Sequence, residues 1–182
     1  MHSHLVAAQV WRHHRGLPAP AVSKVAAKEL VLVSTGASDW LVSSGVATKV
    51  DGGFRVTARK APASGAPAGD VLVTSFRWDD APDGSQVIHA SVPFASPGVS
   101  VEETWDTMGM RATGSHTVVL TDVFVPDEAV SLTRPTGVWH PVWSVVTGAA
   151  LPLIMSTYVG VAESAAARAL ALAARHPERA DT

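Results

Sequence analysis

The sequence contains no cysteine, and this absence excludes several kinds of site at once. Disulfide bridges, thiolate catalysis and cysteine-ligated zinc or iron–sulfur centres all require cysteine, so none of them is expected. A cysteine-free chain fits a reducing compartment, and we expect a cytoplasmic protein. Residues 1–16 have no sustained apolar run and no small-residue cleavage site, so they predict a helix and not a signal peptide.

Charged residues are also scarce. They make up 16% of the 182 residues, and the formal net charge is -2 at pH 7. Soluble chains usually hold about a quarter charged residues, so part of this surface is expected to be covered by a partner subunit, by further domains or by a membrane. No basic excess is present to hold a phosphate backbone, so nucleic acid is not an expected partner.

The stretch between Arg134 and Glu163 carries no charged residue and raises the question of a membrane span. Its core, residues 142–162, is long enough to cross a bilayer. The same core contains Gly, Pro, Ser and Thr, and no positive cluster flanks one side only. We therefore predict no membrane span but a helix buried in a bundle or a subunit interface, with the membrane helix as the alternative.

Apolar periodicity predicts helices at both ends of the chain and short strands between them. Spacings of three and four predict a helix over residues 3–15, a shorter one over 22–28 and a long one after Pro141. The predicted strands are residues 30–33, 46–50, 54–60, 71–76, 86–93, 99–101 and 117–125. Asp51-Gly52-Gly53 between the second and third of these gives the strongest hairpin signal. The order predicts an α+β fold with a β-barrel or sandwich, and a last helix with little partner surface in this chain.

Histidine is the residue type that invites a metal interpretation. His2, His4, His13 and His14 diverge around the predicted first helix and have no carboxylate nearby, so no metal site is expected.

One segment carries the motif Gly109-Met110-Arg111, a small polar stretch, a strand and then Asp122-Val123-Phe124-Val125-Pro126. It resembles a signature of the acyl-CoA dehydrogenases and of the flavin-dependent monooxygenases that share their fold. Residues 32–39, 52–60 and 64–73 resemble further segments of the family, in the family's order. The resemblance covers residues 30–126.

The resemblance implies a three-part organisation: an acyl-CoA-dehydrogenase-like middle β-barrel or sandwich flanked by helices of truncated helical domains. Residues 1–28 are expected to end an N-terminal helical domain. Residues 29–136 are expected to form the middle β-domain that binds flavin and acyl-CoA. Residues 137–182 are expected to begin a C-terminal helical bundle, through which the family implies a homo-oligomer.

The resemblance also implies a cofactor, FAD, or FMN if the protein is monooxygenase-like. Val33 and Ser34 match positions whose backbone and hydroxyl contact the flavin ring, and Ser64 matches a hydroxyl residue on the flavin N5 side. Ser38 matches a serine near the pyrophosphate or the acyl thioester, which makes it a candidate for cofactor and substrate binding. Hydroxyls and backbone N–H groups tune a flavin without adding charge.

Two further residues have competing interpretations. Asp39 either belongs to a ligand loop with Ser38 or caps a local turn. Arg111 is predicted to bridge and fix its turn, with contact to a cofactor or substrate phosphate as the alternative.

The function that the resemblance implies is α,β-dehydrogenation of an acyl-CoA thioester by a flavin-dependent oxidoreductase of fatty acid metabolism. The dehydrogenases take their base, a glutamate, from the C-terminal bundle; that position is expected beyond Thr182, so no catalytic residue is assigned. Two alternatives stay open: a reduced-flavin-dependent monooxygenase of the same fold, and a non-catalytic or truncated fragment.

Overall fold

The computed structural model describes residues 2–13, 20–35 and 39–175. Two helices come first, α1 (His2–His13) and α2 (Pro20–Ala27), and one long helix, α3 (Val142–Ala174), comes last. The strands of the described chain are β1 (Leu32–Ser34), β2 (Val46–Val50), β3 (Gly53–Lys60), β4 (Val71–Trp78), β5 (Gln86–Pro93), β6 (Val99–Glu102), β7 (Thr117–Pro126) and β8 (Val130–Pro135). The predicted α+β class is confirmed.

The strands form one mixed sheet in the order β6-β7-β3-β2-β4-β5-β8, with β1 paired to β4. The predicted hairpin is confirmed: β2 and β3 are antiparallel, and Val50 lies opposite Gly53. Gly52 at its tip has a φ of 69°, a backbone conformation that glycine adopts without strain. Both β1 and β2 run parallel to β4, at different places along it.

The core lies on one face of this sheet. Alternate side chains of β3, β4, β5 and β7 point into a single apolar cluster, in which Leu72, Phe76 and Leu120 are fully buried. Val33 of β1 and Ala66 of the loop after β3 belong to the same cluster. The sheet core therefore fixes both segments that the family resemblance singles out.

Strand β8 is an element that the sequence patterns did not predict. It pairs antiparallel with β5, and the register shifts between His89 and Ala90. Its apolar side chains are only partly buried, and its deepest side chain is a charged one, Arg134, at 1% exposure. Val130 and Leu132 alternate with polar residues, but the next inward position is the charged Arg134, so this short run carries only a weak strand pattern and long-range contacts define the strand.

The predicted final helix is confirmed as α3, and so is its lack of partner surface within the chain. Val142, Trp143 and Ala150 are buried, and α1 packs against this helix, but every residue from 151 to 175 is exposed. Of the helices that the structure describes, α3 alone is long and apolar enough to cross a membrane. That criterion is weak evidence for a span, because helices that pack against other proteins meet it as well.

Candidate functional site

Strand β1 leaves one backbone edge open. Val31 and Thr35 bond through their backbones to β4. Successive peptide groups of a strand point to opposite edges, so Leu32 and Ser34 direct theirs away from β4. There the Leu32 N–H lies 3.1 Å from His4 Nε2. The Ser34 N–H points to the same edge, which no strand of the described chain occupies.

The predicted site residues of this segment differ in what they can offer a ligand. Val33 has 0% exposure, so its side chain belongs to the core and only its backbone could meet a ligand. The Ser34 side chain is exposed, and its hydroxyl lies 3.1 Å from the Ser3 hydroxyl of α1. Ser38 lies outside the described residues. Ser34 is therefore the polar group at the end of β1.

The loop after β3 crosses directly over Val33. A Cβ built on Gly69 would lie 2.6 Å from Val33 Cγ2 and 2.7 Å from the Phe94 ring, so only glycine allows this approach. The Cβ position of Gly65 lies 3.9 Å from the same Val33 methyl group. The structure thus brings the loop that carries Ser64 against β1, although the two segments are far apart in the sequence.

Ser64 begins a chain of three hydroxyl groups that runs into the protein. Its Oγ lies 2.8 Å from Ser115 Oγ, which in turn lies 2.6 Å from Thr113 Oγ1. The Thr113 hydroxyl donates to the Met110 carbonyl at 2.8 Å. Ser64 is exposed while Ser115 is only 4% exposed. We refer to Ser64, Ser115 and Thr113 as the hydroxyl chain.

Backbone bonds hold Ser64 in place beside this chain. The N–H of Ala63 donates to the His116 carbonyl at 3.1 Å, and the N–H of Gly65 donates to the Thr113 carbonyl at 2.8 Å. These two bonds lie on either side of Ser64 and join its loop to the segment that carries the partner hydroxyls. These bonds fix the main chain on either side of Ser64, and the bond to Ser115 orients its hydroxyl.

A buried charged cluster lies where the chain follows Ser38. Lys60 Nζ donates to Asp39 Oδ2 at 2.7 Å, and an Arg134 Nη donates to the Asp39 main-chain carbonyl at 3.0 Å. Lys60 and Arg134 are each 1% exposed and Asp39 is 4% exposed. Burial lowers the pKa of Lys60, while the hydrogen bond and the charge of Asp39 oppose that shift. Asp39 also accepts the Ser44 N–H at 3.2 Å, so it caps a turn and pairs with a cation.

His89 of β5 extends this cluster. Arg134 Nε–H donates to His89 Nε2 at 3.0 Å. Burial, and then the Arg134 charge, lowers the pKa of His89 from its ordinary 6.5 to about 3. The imidazole is therefore neutral near pH 7, with Nε2 as its acceptor. Trp143 of α3 packs on both groups, 5.6 Å from the His89 ring and 5.4 Å from the Arg134 guanidinium.

Sequence reasoning missed Ser115, Thr113, Lys60 and Arg134, although the first two lie within the matched signature around Arg111. The predicted bridging role of Arg111 is confirmed, because its Nε–H donates to the Thr107 carbonyl at 2.7 Å. No group of three metal-ligating side chains occurs within the described residues, and His14 lies outside them.

Three curated proteins with sequence similarity point to one superfamily, although no protein-family model matches the chain. YdbM of Bacillus subtilis strain 168, named as an acyl-CoA dehydrogenase, is 38% identical over 122 residues, which is 65% of this chain and 29% of YdbM. The amino sugar nitrososynthase DnmZ of Streptomyces peucetius is 30% identical, over 89% of this chain and 40% of DnmZ. A dibenzothiophene monooxygenase of Rhodococcus qingshengii is 35% identical, over 50% of this chain and 22% of its own.

Solved structures agree with these relatives. KijD3, in complex with FMN and a dTDP-amino-keto sugar, matches with a TM-score of 0.74 and 26% identity over 97% of this chain and 46% of its own. XiaF from Streptomyces sp., in complex with FADH2 and glycerol, matches with a TM-score of 0.55 and 34% identity over 71% of this chain and 30% of its own.

The class of protein follows from the fold together with these similarities. The chain belongs to the acyl-CoA dehydrogenase superfamily, which includes the related flavin-dependent monooxygenases. It spans less than half the length of these relatives and solved structures.

Proposed function

We propose that this chain forms one wall of a flavin site in a reduced-flavin-dependent monooxygenase. The observation that carries the proposal is the pair of exposed hydroxyls, Ser34 and Ser64, on two segments that meet over Val33. The relatives support the monooxygenase assignment, since a nitrososynthase aligns over 89% of the chain and a monooxygenase over half of it.

The groups at this edge fit an isoalloxazine ring. The ring needs neutral hydrogen-bonding groups at its nitrogens and carbonyl oxygens and a close apolar or backbone surface along it. Ser34 offers an N–H and a hydroxyl, and Ser64 offers a second hydroxyl. Gly69 lets the loop that carries Ser64 pack closely on the buried Val33 side chain. FAD and FMN share this ring, so the proposal covers both.

A bound reduced flavin supplies the two electrons with which a monooxygenase places one atom of O2 in its substrate and the other in water. The residues of this chain bind and orient. Ser34 would hold one side of the ring through its open-edge N–H, and Ser64 would hold another through its hydroxyl. The charged cluster anchors Asp39 directly after Ser38, which we propose as a contact for the cofactor or the substrate.

A second candidate function is acyl-CoA dehydrogenation, as the sequence first implied. The observation that favours it is the 38% identity to YdbM. Under either function the substrate is a small molecule, residues 29–136 form the flavin-binding domain, and the exposed part of α3 joins copies of a cytoplasmic protein.

Flavin retention tests the proposal directly. The purified chain is incubated with FMN or FAD, free ligand is removed, and the visible spectrum is recorded. We expect retained flavin, and about fivefold weaker binding of anaerobically reduced flavin in Ser64→Ala, the loss expected for one neutral hydrogen bond. Ser100→Ala is the matched control, because Ser100 is an exposed serine of β6. Absence of retained flavin, or equal loss in both variants, would contradict the proposal.

Two additions to the flavin-loaded chain separate the candidate functions. Anaerobic addition of an acyl-CoA would bleach the oxidised flavin if the protein is a dehydrogenase. If the protein is a monooxygenase, oxygen added to the reduced flavin complex would be consumed rapidly with no acyl-CoA present. We expect oxygen consumption without bleaching, and bleaching by an acyl-CoA would favour the second candidate.

A further inference from the structure

The hydroxyl chain has a defined direction. A hydroxyl group carries a single hydrogen, and a backbone carbonyl can only accept. The Thr113 hydrogen is committed to the Met110 carbonyl, so Thr113 Oγ1 accepts the Ser115 hydrogen. Ser115 Oγ is then left to accept the Ser64 hydrogen. Ser64 therefore donates its hydrogen inward to Ser115 and presents lone pairs outward.

Reversing this direction has an energetic cost. For Ser64 to present its hydrogen, Ser115 would have to donate to Ser64 and Thr113 would have to donate to Ser115. Thr113 would then lose its bond to the Met110 carbonyl. That carbonyl is fixed in place, because it also accepts the Trp105 indole N–H at 3.1 Å and Met110 has a left-handed backbone with a φ of 58°.

We propose that Ser115 and Thr113 are positioning residues that make Ser64 a hydrogen-bond acceptor, and that the site therefore prefers reduced over oxidised flavin. The inference rests on the proposed flavin site. Oxidised isoalloxazine presents N5 as an acceptor, whereas the reduced ring carries a hydrogen there and becomes a donor. The family resemblance implies that Ser64 lies on the N5 side of the ring, where its outward lone pair would complement the donor and oppose the acceptor. This preference suits a protein that receives its flavin already reduced.

The ratio of two dissociation constants tests the inference. Binding of FMN and of anaerobically reduced FMN is followed by quenching of tryptophan fluorescence in the whole chain. The ratio of the oxidised to the reduced constant should exceed one in the unchanged protein. In Ser115→Ala the Ser64 hydrogen loses its internal acceptor, and the ratio should fall about fivefold, the effect of one hydrogen bond. The bound flavin's midpoint potential should then fall by about 20 mV, since tenfold corresponds to about 30 mV for two electrons.

Two further variants separate direction from general damage. Thr113→Val removes the acceptor of the Ser115 hydrogen, so Ser115 becomes free to donate to Ser64, and the ratio should fall as in Ser115→Ala. Thr117→Val is the matched control: its hydroxyl pairs with Thr104 at 2.7 Å, is similarly buried and does not join the hydroxyl chain. A merely structural defect would weaken the binding of oxidised and reduced FMN alike and leave the ratio of their dissociation constants unchanged.

The outcomes are distinct. A lowered ratio in Ser115→Ala and Thr113→Val, with Thr117→Val unchanged, supports the inference. Flavin binding with the same ratio in all four proteins overturns the inference and leaves the proposed function standing. Failure of the unchanged chain to bind either form overturns both.

Discussion

Protonation of His89 should make the folded protein sensitive to mild acid. Burial and the Arg134 charge hold the pKa of His89 at about 3, against 6.5 in an unfolded chain. As the pH falls below 6.5, His89 binds a proton in the unfolded chain but stays neutral in the folded chain. The free energy of unfolding therefore decreases with falling pH, and the loss is complete only below the folded pKa.

The magnitude follows from these two pKa values. At pH 7 both states hold a neutral His89, and at pH 5 only the unfolded state is largely protonated. The difference amounts to about 2 kcal/mol of stability lost between pH 7 and pH 5. That is a large part of the stability of a typical domain, which is roughly 5–15 kcal/mol.

Urea unfolding at the two pH values measures this loss. His89→Gln keeps an acceptor for Arg134 Nε–H but has no proton to gain, so its loss between pH 7 and pH 5 should be smaller by about 2 kcal/mol. His116→Gln, a change of another half-buried histidine, is the control and should keep the full loss. Equal pH dependence in the unchanged protein and in His89→Gln would refute the reasoning.

Three further predictions concern stability and association. Lys60→Met leaves the Asp39 carboxylate buried without its cation and should cost about 3–5 kcal/mol in urea unfolding, while adding Asp39→Asn should restore part of that loss; a double variant as unstable as the sum of the singles would contradict this. Gly69→Ala should cost about 1–3 kcal/mol through its clash with Val33, whereas Gly109→Ala, where a Cβ meets nothing within 4 Å, should cost much less. Light scattering should show self-association that Leu170→Gln on the exposed part of α3 weakens, and a monomeric unchanged chain would exclude that interface.

Local patterns in the sequence predicted most of the strands because their information is local. The alternation in β3 and the Asp51-Gly52 turn define their hairpin within a few residues. The burial of β8 depends instead on Arg134, whose guanidinium reaches the Asp39 carbonyl across 95 residues of sequence. No period in the sequence marks a contact of that kind.

The residues of the candidate site were likewise predicted from the sequence only in part. Val33, Ser34 and Ser64 were identified through the family resemblance, and the structure places their segments together. The hydroxyl partner of Ser64 is 51 residues away, and serine and threonine in loops carry no pattern that tells a hydrogen-bonded pair from two unrelated turns. The direction of the hydroxyl chain became visible only once the acceptor at its end was known.

The short length of β1 has a consequence for local opening of the sheet. It has three residues and a strand neighbour on one side only, so it belongs to the part of the sheet that opens at low free energy. Its amide hydrogens should exchange with solvent faster than those in the middle of β4, which has strands on both sides. A ring bound along the Ser34 edge would supply the missing hydrogen-bonding neighbour, so slowed exchange should appear first in this strand.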